Sequence, residues 1–576
     1  MAQATPADYA YRRYSEGRLL GLRVNRYSWW THWRELADYY LPRRYRWIVT
    51  PNMMSRGSPV NQHILDETGV LAARDLASGL MTGKCSPFQL WLKLMINKID
   101  STQTGPISLW LAECERLMYL VFSESNFYNS IAQWLYDLVV FGTATMLIYE
   151  DYDNVINCIN PCLGEFYVDI DGKYRPVILY REFVMTISAV VDEFKLENCS
   201  ENLQKLYKEN DGANLTREII IAHAIEPNDD GRAAKFGLSS RFKFRECYWE
   251  WGGSASQQGA SMDQRGFLRK TGYYEQPQAT CRWDLVSNDA YGRSAAMDGL
   301  PGNKQLQLMS RREAQGIDKM VNPPLVADIQ LKNQPASVLP GGITYVTGYA
   351  ASGKPGFSSV YDTKFPVNEM MESKKEVQER QKRTFFNDLF KTISQYVTRS
   401  NVTAAEIDAR RAESMVMLGP VDERIDNEGL KIIVERVFAI MSRAGIFPPP
   451  PPEIAGMSIN IEFVSMLAKA QSAAAAAGIE RLFQVAGNLV GVTGPEAMDN
   501  LDYDYGLDKL SSMLNNDPKL IRSPEQLQQI RQNRAQQAAQ QQKVDMAEKL
   551  AKGAKNLAGI NVGGGQNAVE QMIGNQ

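Results

Sequence analysis

The stretch "NFYNSIAQWLYDLVVFGTATMLIYED", residues 126–151, changes its period in the middle. Up to Phe141 its apolar residues fall at helical spacing, and Asn126 stands where a helix cap belongs. After Gly142 the run "TATMLIYED" reads as a strand. A helix passing straight into a strand, with helices before it and strands after it, predicts a mixed α/β chain that is mainly α. The longest apolar run, "LVVFGTATMLIY", lies inside this stretch. At about 12 residues it falls short of the roughly 20 that a membrane helix needs. The chain therefore reads as soluble.

Towards the N-terminus the pattern is helical. "GPISLWLAECERLMYLVFSES" is one helix, and residues 62–82 form another with Ile64, Val70, Leu71 and Leu80 as apolar members. Residues 7–41 are crowded with arginine and aromatics, and Trp30, Trp33 and Ala37 share a helical face before Pro42 ends the run. Such a helix suits either nucleic-acid contact or a buried aromatic face with arginines reaching back to water. Charge and aromatics fall on opposite faces, which favours burial.

After residue 151 strands follow: "GEFYVDIDG", "RPVILYREFVMT", then several between 215 and 285. Asp169 and Asp171 in "DIDG" invite a metal reading, but a calcium loop needs more oxygen ligands. Asp171-Gly172 reads instead as a hairpin turn. From Leu300 a helix carries Leu306, Met309, Ile317 and Met320 and stops at Pro323 and Pro324. A β-type insert, 324–366, separates it from a long helix over 367–396. A further helical stretch opens with a capping box at Thr403 and Glu406 and must break or kink at Gly419-Pro420. It resumes with Leu430, Ile433, Val434, Val437 and Met441 on one face, and ends at Gly445 and the run Pro448–Pro452. The remainder is rich in Ala, Gln and Asn. A helix starts there from Ser523, Pro524 and Gln526, and the tail from Gly553 reads as flexible.

Signs of catalysis are few. "GYAASGKP", 348–355, is one letter short of a phosphate-binding loop. Pro355 replaces the hydroxyl that would hold Mg²⁺, no helix follows, and no strand ending in aspartate offers a partner. The three histidines, His32, His63 and His223, are far apart. Cys158 and Cys162 are close, but no further ligands stand near them. Seven scattered cysteines without a secretory leader suggest free thiols in a reducing compartment. A net charge of −3 gives no basic excess for clamping nucleic acid. No catalytic residue, metal or cofactor is predicted, and a structural or interaction protein is expected.

The order of segments resembles the head-to-tail connector, or portal, family of short-tailed bacteriophages. It is carried by "RYSWWTHWRELADYYLP", "ILDETGVLAARDLASGLMTGKCSPFQLWLKL", the opening stretch, "LGEFYVDIDGKYRPVILYREFVMT", "YGRSAAMDGLPGNKQLQLMSRREAQGIDKMVNPPL" and "VTAAEIDARRAESMVMLGPVDERIDNEGLKIIVERVFAIMSRAGIFPPPP", which together cover roughly 10–452. The resemblance implies a portal fold. It has an α/β wing (1–299), a two-helix stem (300–321 and 367–385) around a small α/β clip (322–366), a channel loop and kinked tunnel helix with a wing return (386–452), a helical crown (453–522) and a barrel-like helix with a tail (523–576). It implies a homo-oligomeric ring, a dodecamer, at one capsid vertex of the virion, assembled in the host cytoplasm. The implied partners are the terminase large subunit, tail adaptor and tail tube proteins, major capsid and scaffolding proteins, and double-stranded DNA in transit. Lys391, Thr398, Arg399, Ser400 and Asn401 would lie at the channel loop; Gly348, Gly353 and Lys354 would lie in the clip where motor and tail dock. Two other readings remain at this point: a nucleotide hydrolase using 348–355, and a tail adaptor or scaffold without a channel.

Overall fold

The structure, a computed structural model, describes residues 6–44, 46, 49–51, 57–96, 106–209, 212–228, 241–251, 266–321, 325–327, 357–359, 366–387, 418–452, 459–463, 476–488, 501–513 and 524–558. The chain forms two units, one of residues 1–93, 117–447 and 461–470 and the other of 94–116, 448–460 and 471–576. It is mixed α/β and mainly helical. In chain order the elements are α1 (Pro6–Tyr40), α2 (Thr68–Lys84), β1 (Leu92–Ile96), α3 (Pro106–Glu124), α4 (Phe127–Phe141), β2 (Thr143–Asp151), β3 (Val155–Ile159), β4 (Phe166–Asp169) and β5 (Ile178–Thr186). Then come α5 (Ile187–Phe194), α6 (Glu201–Lys208), α7 (Gly212–Leu215), β6 (Glu218–Pro227), β7 (Phe244–Glu250), β8 (Arg269–Tyr273), β9 (Gln278–Arg282), α8 (Ala295–Val321), β10 (Leu325–Ala327) and β11 (Phe357–Ser359). Next are α9 (Val367–Thr384), α10, which joins the segments Gly419–Arg424, Ile425–Leu430 and Lys431–Arg443, and β12 (Ile459–Phe463). The second unit holds α11 (476–488), α12 (Tyr503–Met513) and α13 (Pro524–Ala558).

The switch at 126–151 falls where the period changes. Phe127, Ile131, Trp134, Leu135 and Leu138 of α4 are buried. Gly142 closes the helix at φ 76°, and β2 starts at the next residue. The cap differs from expectation. The Asn126 side chain does not cap α4; it accepts from the Cys158 amide and donates to the Cys158 carbonyl, both at 2.9 Å. The amide thus occupies the outer edge of β3, where another strand would otherwise pair.

Two antiparallel sheets follow, β3-β2-β9 and β4-β5-β6-β7-β8. Alternation along β6 and β7 splits the larger sheet between two covers. Ala222, Ala224, Cys247 and Trp249 pack on Tyr11, Leu19 and Leu22 of α1. Ile221 and Tyr248 pack on Ile187, Val190 and Phe194 of α5 and Leu203 of α6. Neither α5 nor α6 is among the elements expected from the sequence. In the turn between β4 and β5, Asp171 accepts from the amides of Lys173 and Arg175, and the left-handed residue is Tyr174 (φ 60°), not Gly172. The aspartate organises a turn, as expected, but the hairpin pair is not Asp171-Gly172.

Helix α1 buries its aromatic face, with Trp33 and Ala37 fully covered. Its arginines do not all reach back to water. Arg26 donates to the carbonyls of Leu163, Gly164 and Phe166, and Arg12 to those of Glu250 and Gly266. These guanidiniums tie α1 to the rim of the sheet through its backbone acceptors.

One buried chain crosses the larger sheet. Arg181 Nε donates to His223 Nδ1 at 3.0 Å, so the imidazole proton sits on Nε2, 2.9 Å from Glu246 Oε1. Burial lowers the His223 pKa to about 4 and keeps it neutral. Burial opposes charge on Glu246, yet bonds from His223 and Tyr273 pull it down to about 2. An unfolded chain binds the histidine proton from about pH 6.5 downward, whereas the folded chain refuses it until about pH 4. This contribution, of order 3 kcal/mol, is complete above pH 6.5 and lost as pH falls from about 6.5 to 4. Denaturant titrations across that window will show stability falling with acid, and His223→Gln will flatten the fall. An unchanged slope in the variant would rule out this histidine as its source.

Candidate functional site: a helix pair on a buried amide root

Helix α8 begins five residues before the expected start, at Ala295, because Ser294 caps it: its Oγ accepts from the Met297 amide and donates to the Val140 carbonyl. Helix α9 runs back along it. Gln381 Nε2 meets the Gly299 carbonyl at 2.7 Å, Arg380 meets Gln305 at 3.1 Å, and Lys374 meets Glu313 at 3.1 Å, so early residues of one helix face late residues of the other.

The root of this pair is made of uncharged amides. Tyr40 donates to Gln381 Oε1, and its ring packs 5.4 Å from that of Phe385. Asn303 donates to the Tyr39 carbonyl. Gln307 donates to Asn303 Oδ1 and the Asp66 carbonyl while accepting from the amides of Leu65 and Asp66. Asp66 accepts from Thr68 and Gln378, which hold its carboxyl below the usual range despite the opposing effect of burial. Amides both donate and accept, so they enclose the one buried carboxylate of the root, Asp66, which also faces Lys374 at 3.5 Å. "GLPG" makes the approach possible: a Cβ on Gly299 would lie 2.8 Å from the Tyr40 hydroxyl, and one on Gly302 would lie 2.3 Å from Gln381 Nε2.

Beyond the root the pair loses cover. Leu308, Ile317, Met320, Val321 and Met371 are exposed, Val321 by 79%. Strands β10 and β11 pair antiparallel, Leu325 opposite Ser359, which brings residues 325–327 and 357–359 side by side. Gly348, Gly353 and Lys354 on that stretch lie outside the described residues, as do Lys391, Thr398, Arg399, Ser400 and Asn401 and the capping box at Thr403 and Glu406.

Helix α10 carries the expected face, with Leu430, Ile433, Val434, Val437 and Met441 buried, and Gly445 closes it at φ 68°. Gly419-Pro420 stands at the start of its described part. An unforeseen feature is the π-helical turn Ile425–Leu430. It seats the Trp134 ring against Gly429, where a Cβ would come within 2.4 Å, and turns Glu428 onto Arg282 at 2.7 Å. Lys84 at the end of α2 reaches Asp422 and Asp426 on the same helix. Among the described residues no cluster of three or more His, Cys, Asp or Glu is arranged to hold a metal. All seven cysteines are free. Burial pushes the thiols of Cys85, Cys114, Cys158, Cys199 and Cys247 up to about 12 and that of Cys162 to about 11.

A family described as bacteriophage head to tail connecting protein matches residues 13–521. A probable portal protein of Bordetella phage BPP-1 is 37% identical over 559 residues, 96% of each chain. A portal protein of Salmonella phage epsilon15 is 34% identical over 544 residues, 94% of each. The chain therefore belongs to the bacteriophage head-to-tail connecting proteins. It serves as a phage portal, a structural virion component of the capsid vertex whose copies form a ring that joins head to tail.

Gln381→Ala tests the root. It leaves the Gly299 carbonyl without its buried donor and opens a void, at a cost of about 2 kcal/mol. Thermal unfolding should shift down by several degrees, while Gln305→Ala on the exposed side should shift it little. Equal shifts would remove the special role of the amide network.

Proposed function

We propose that the chain is one subunit of a closed dodecameric ring through which double-stranded DNA enters and leaves the capsid. In this reading α8 and α9 are the stem, and 322–366 is the clip. There the terminase large subunit docks during packaging, and tail adaptor and tail tube proteins replace it afterwards. The loop after α9, with Lys391, Thr398, Arg399, Ser400 and Asn401, faces the channel, and α10 is the body-side half of the tunnel helix. The α/β body to residue 299 is the wing, which meets major capsid and, during assembly in the host cytoplasm, scaffolding proteins. The region 453–522 is the crown and α13 a barrel-like helix. Gly348, Gly353 and Lys354 then shape an exposed clip loop and need bind no nucleotide.

The observation that carries the ring is the uncovered apolar set on α8 and α9. Leu308, Ile317, Met320 and Met371 are exposed on a helix pair whose root is fully packed. A closed ring with unlike faces in contact offers such side chains a neighbour. A net charge of −3 per subunit suits a channel that lets DNA slide.

Electron microscopy of the purified protein should show rings with a central hole of about duplex width. Ile317→Asp combined with Met320→Asp should shift the protein to monomers by light scattering with its circular dichroism intact. Rings that survive both changes would place the interface elsewhere; a wild-type protein that stays monomeric at high concentration would sink the ring.

A further inference from the structure

A cavity of about 860 Å³ opens between the two sheets, bounded by β2, β5, β7, β8 and α10. Nothing in the portal reading uses it. Its size is that of a small-molecule site, and its walls combine aromatic rings with four arginines, Arg181, Arg269, Arg436 and Arg443.

The acids around it are already engaged. The two oxygens of Glu246 take bonds from His223, Tyr273 and Thr271. Glu150 and Glu275 grip both Arg436 and Arg443, and Glu193 grips Arg269. The donors are not all used. Among the described residues, Nε of Arg269 and Nε of Arg436 are buried without a partner. Arg181 commits Nε to the neutral His223 and one amino group to Tyr149, which leaves it no carboxylate of its own. Arg269 lies over the rings of Phe194 and Tyr248, 5.2 and 4.6 Å from their centroids, which fixes its plane. Glu150 and Asp151 also line the cavity, so net charge does not select the ligand. The guanidiniums themselves do: among the described residues Arg181 pairs only with neutral groups and Arg269 is held flat over two rings, and planar guanidiniums match oxyanions best.

From this we infer a binding site for an oxyanion, a phosphate or carboxylate carried on a small apolar or aromatic body. Its charged oxygens would meet Arg181 and Arg269, and its body would lie against Phe183, Met185 and Tyr152.

The full-length protein is dialysed to equilibrium against radiolabelled inorganic phosphate, with thymidine monophosphate and benzoate as competitors. Saturable binding is expected, weakened about tenfold or more by Arg269→Gln and unchanged by Arg531→Gln, at an exposed position on α13. Arg269 is partly exposed on an edge strand, so the variant should fold; tungstate, an electron-dense phosphate analogue, gives a readout that needs no variant. Its density should appear between Arg181 and Arg269. Stronger competition by the nucleotide assigns a phosphate ligand and by benzoate a carboxylate, and either supports the site. No saturable binding at millimolar concentration, equal affinity in Arg269→Gln, or tungstate only outside the cavity overturns it.

Discussion

Neither Gly142 nor Gly292 has room for a side chain. A Cβ on either would lie 2.4 Å from the carbonyl oxygen of the other. At this contact two backbones touch, and four elements take their places from it. Helix α4 ends there, β2 starts there, the amide of Trp283 after β9 donates to the Gly142 carbonyl, and Ser294 ties the first turn of α8 to Val140. A methyl group on Gly142 would also force a left-handed conformation on a residue that resists it. The start of the long helix pair is thus set by the same junction that divides the helical part from the sheets.

Buried polar groups connect that junction to the rest of the unit. Arg282 at the end of β9 holds Glu428 in the π turn of α10, and Lys84 holds Asp426 in the same turn and Asp422 just before it. Removing one partner from such a pair leaves an uncompensated charge. The root of α8 and α9 achieves a similar connection mainly with neutral amides, arranged around one carboxylate, Asp66. Stability and position therefore rest on different chemistry in different places: apolar packing on the two faces of the larger sheet, ion pairs around α10, and neutral amides where the two long helices meet.

Much of this was legible in the sequence. The period change at Gly142, the buried face of α1, the face of α10 and the ends of α8 at Val321 and α10 at Gly445 are local signals written by spacing, glycine and proline. The family could be read from segment order. Less legible was anything set by a distant partner. Asn126 looks like a cap, yet the edge of β3 claims its side chain. Arg12 and Arg26 look like surface charges until the carbonyls that receive them are in view. Asn303, Gln307 and Gln381 resemble ordinary polar positions; their one hint is the i, i+4 spacing of Asn303 and Gln307 beside Leu306 on a helix that otherwise buries apolar residues. The π turn leaves no trace in hydrophobic period, because its partners, Trp134 over Gly429 and Arg282 at Glu428, are distant in sequence.

The thiols bear on the life of the particle outside the cell. Air-saturated water and trace metals oxidise cysteines through the thiolate. Burial pushes the thiols of Cys85, Cys114, Cys158, Cys199 and Cys247 up to about 12 and that of Cys162 to about 11, which leaves almost no thiolate near neutral pH. A virion component with these six thiols so buried meets oxygen without needing either disulfides or a reductant to protect them. Its shelf life in oxygen is a property of packing rather than of covalent chemistry.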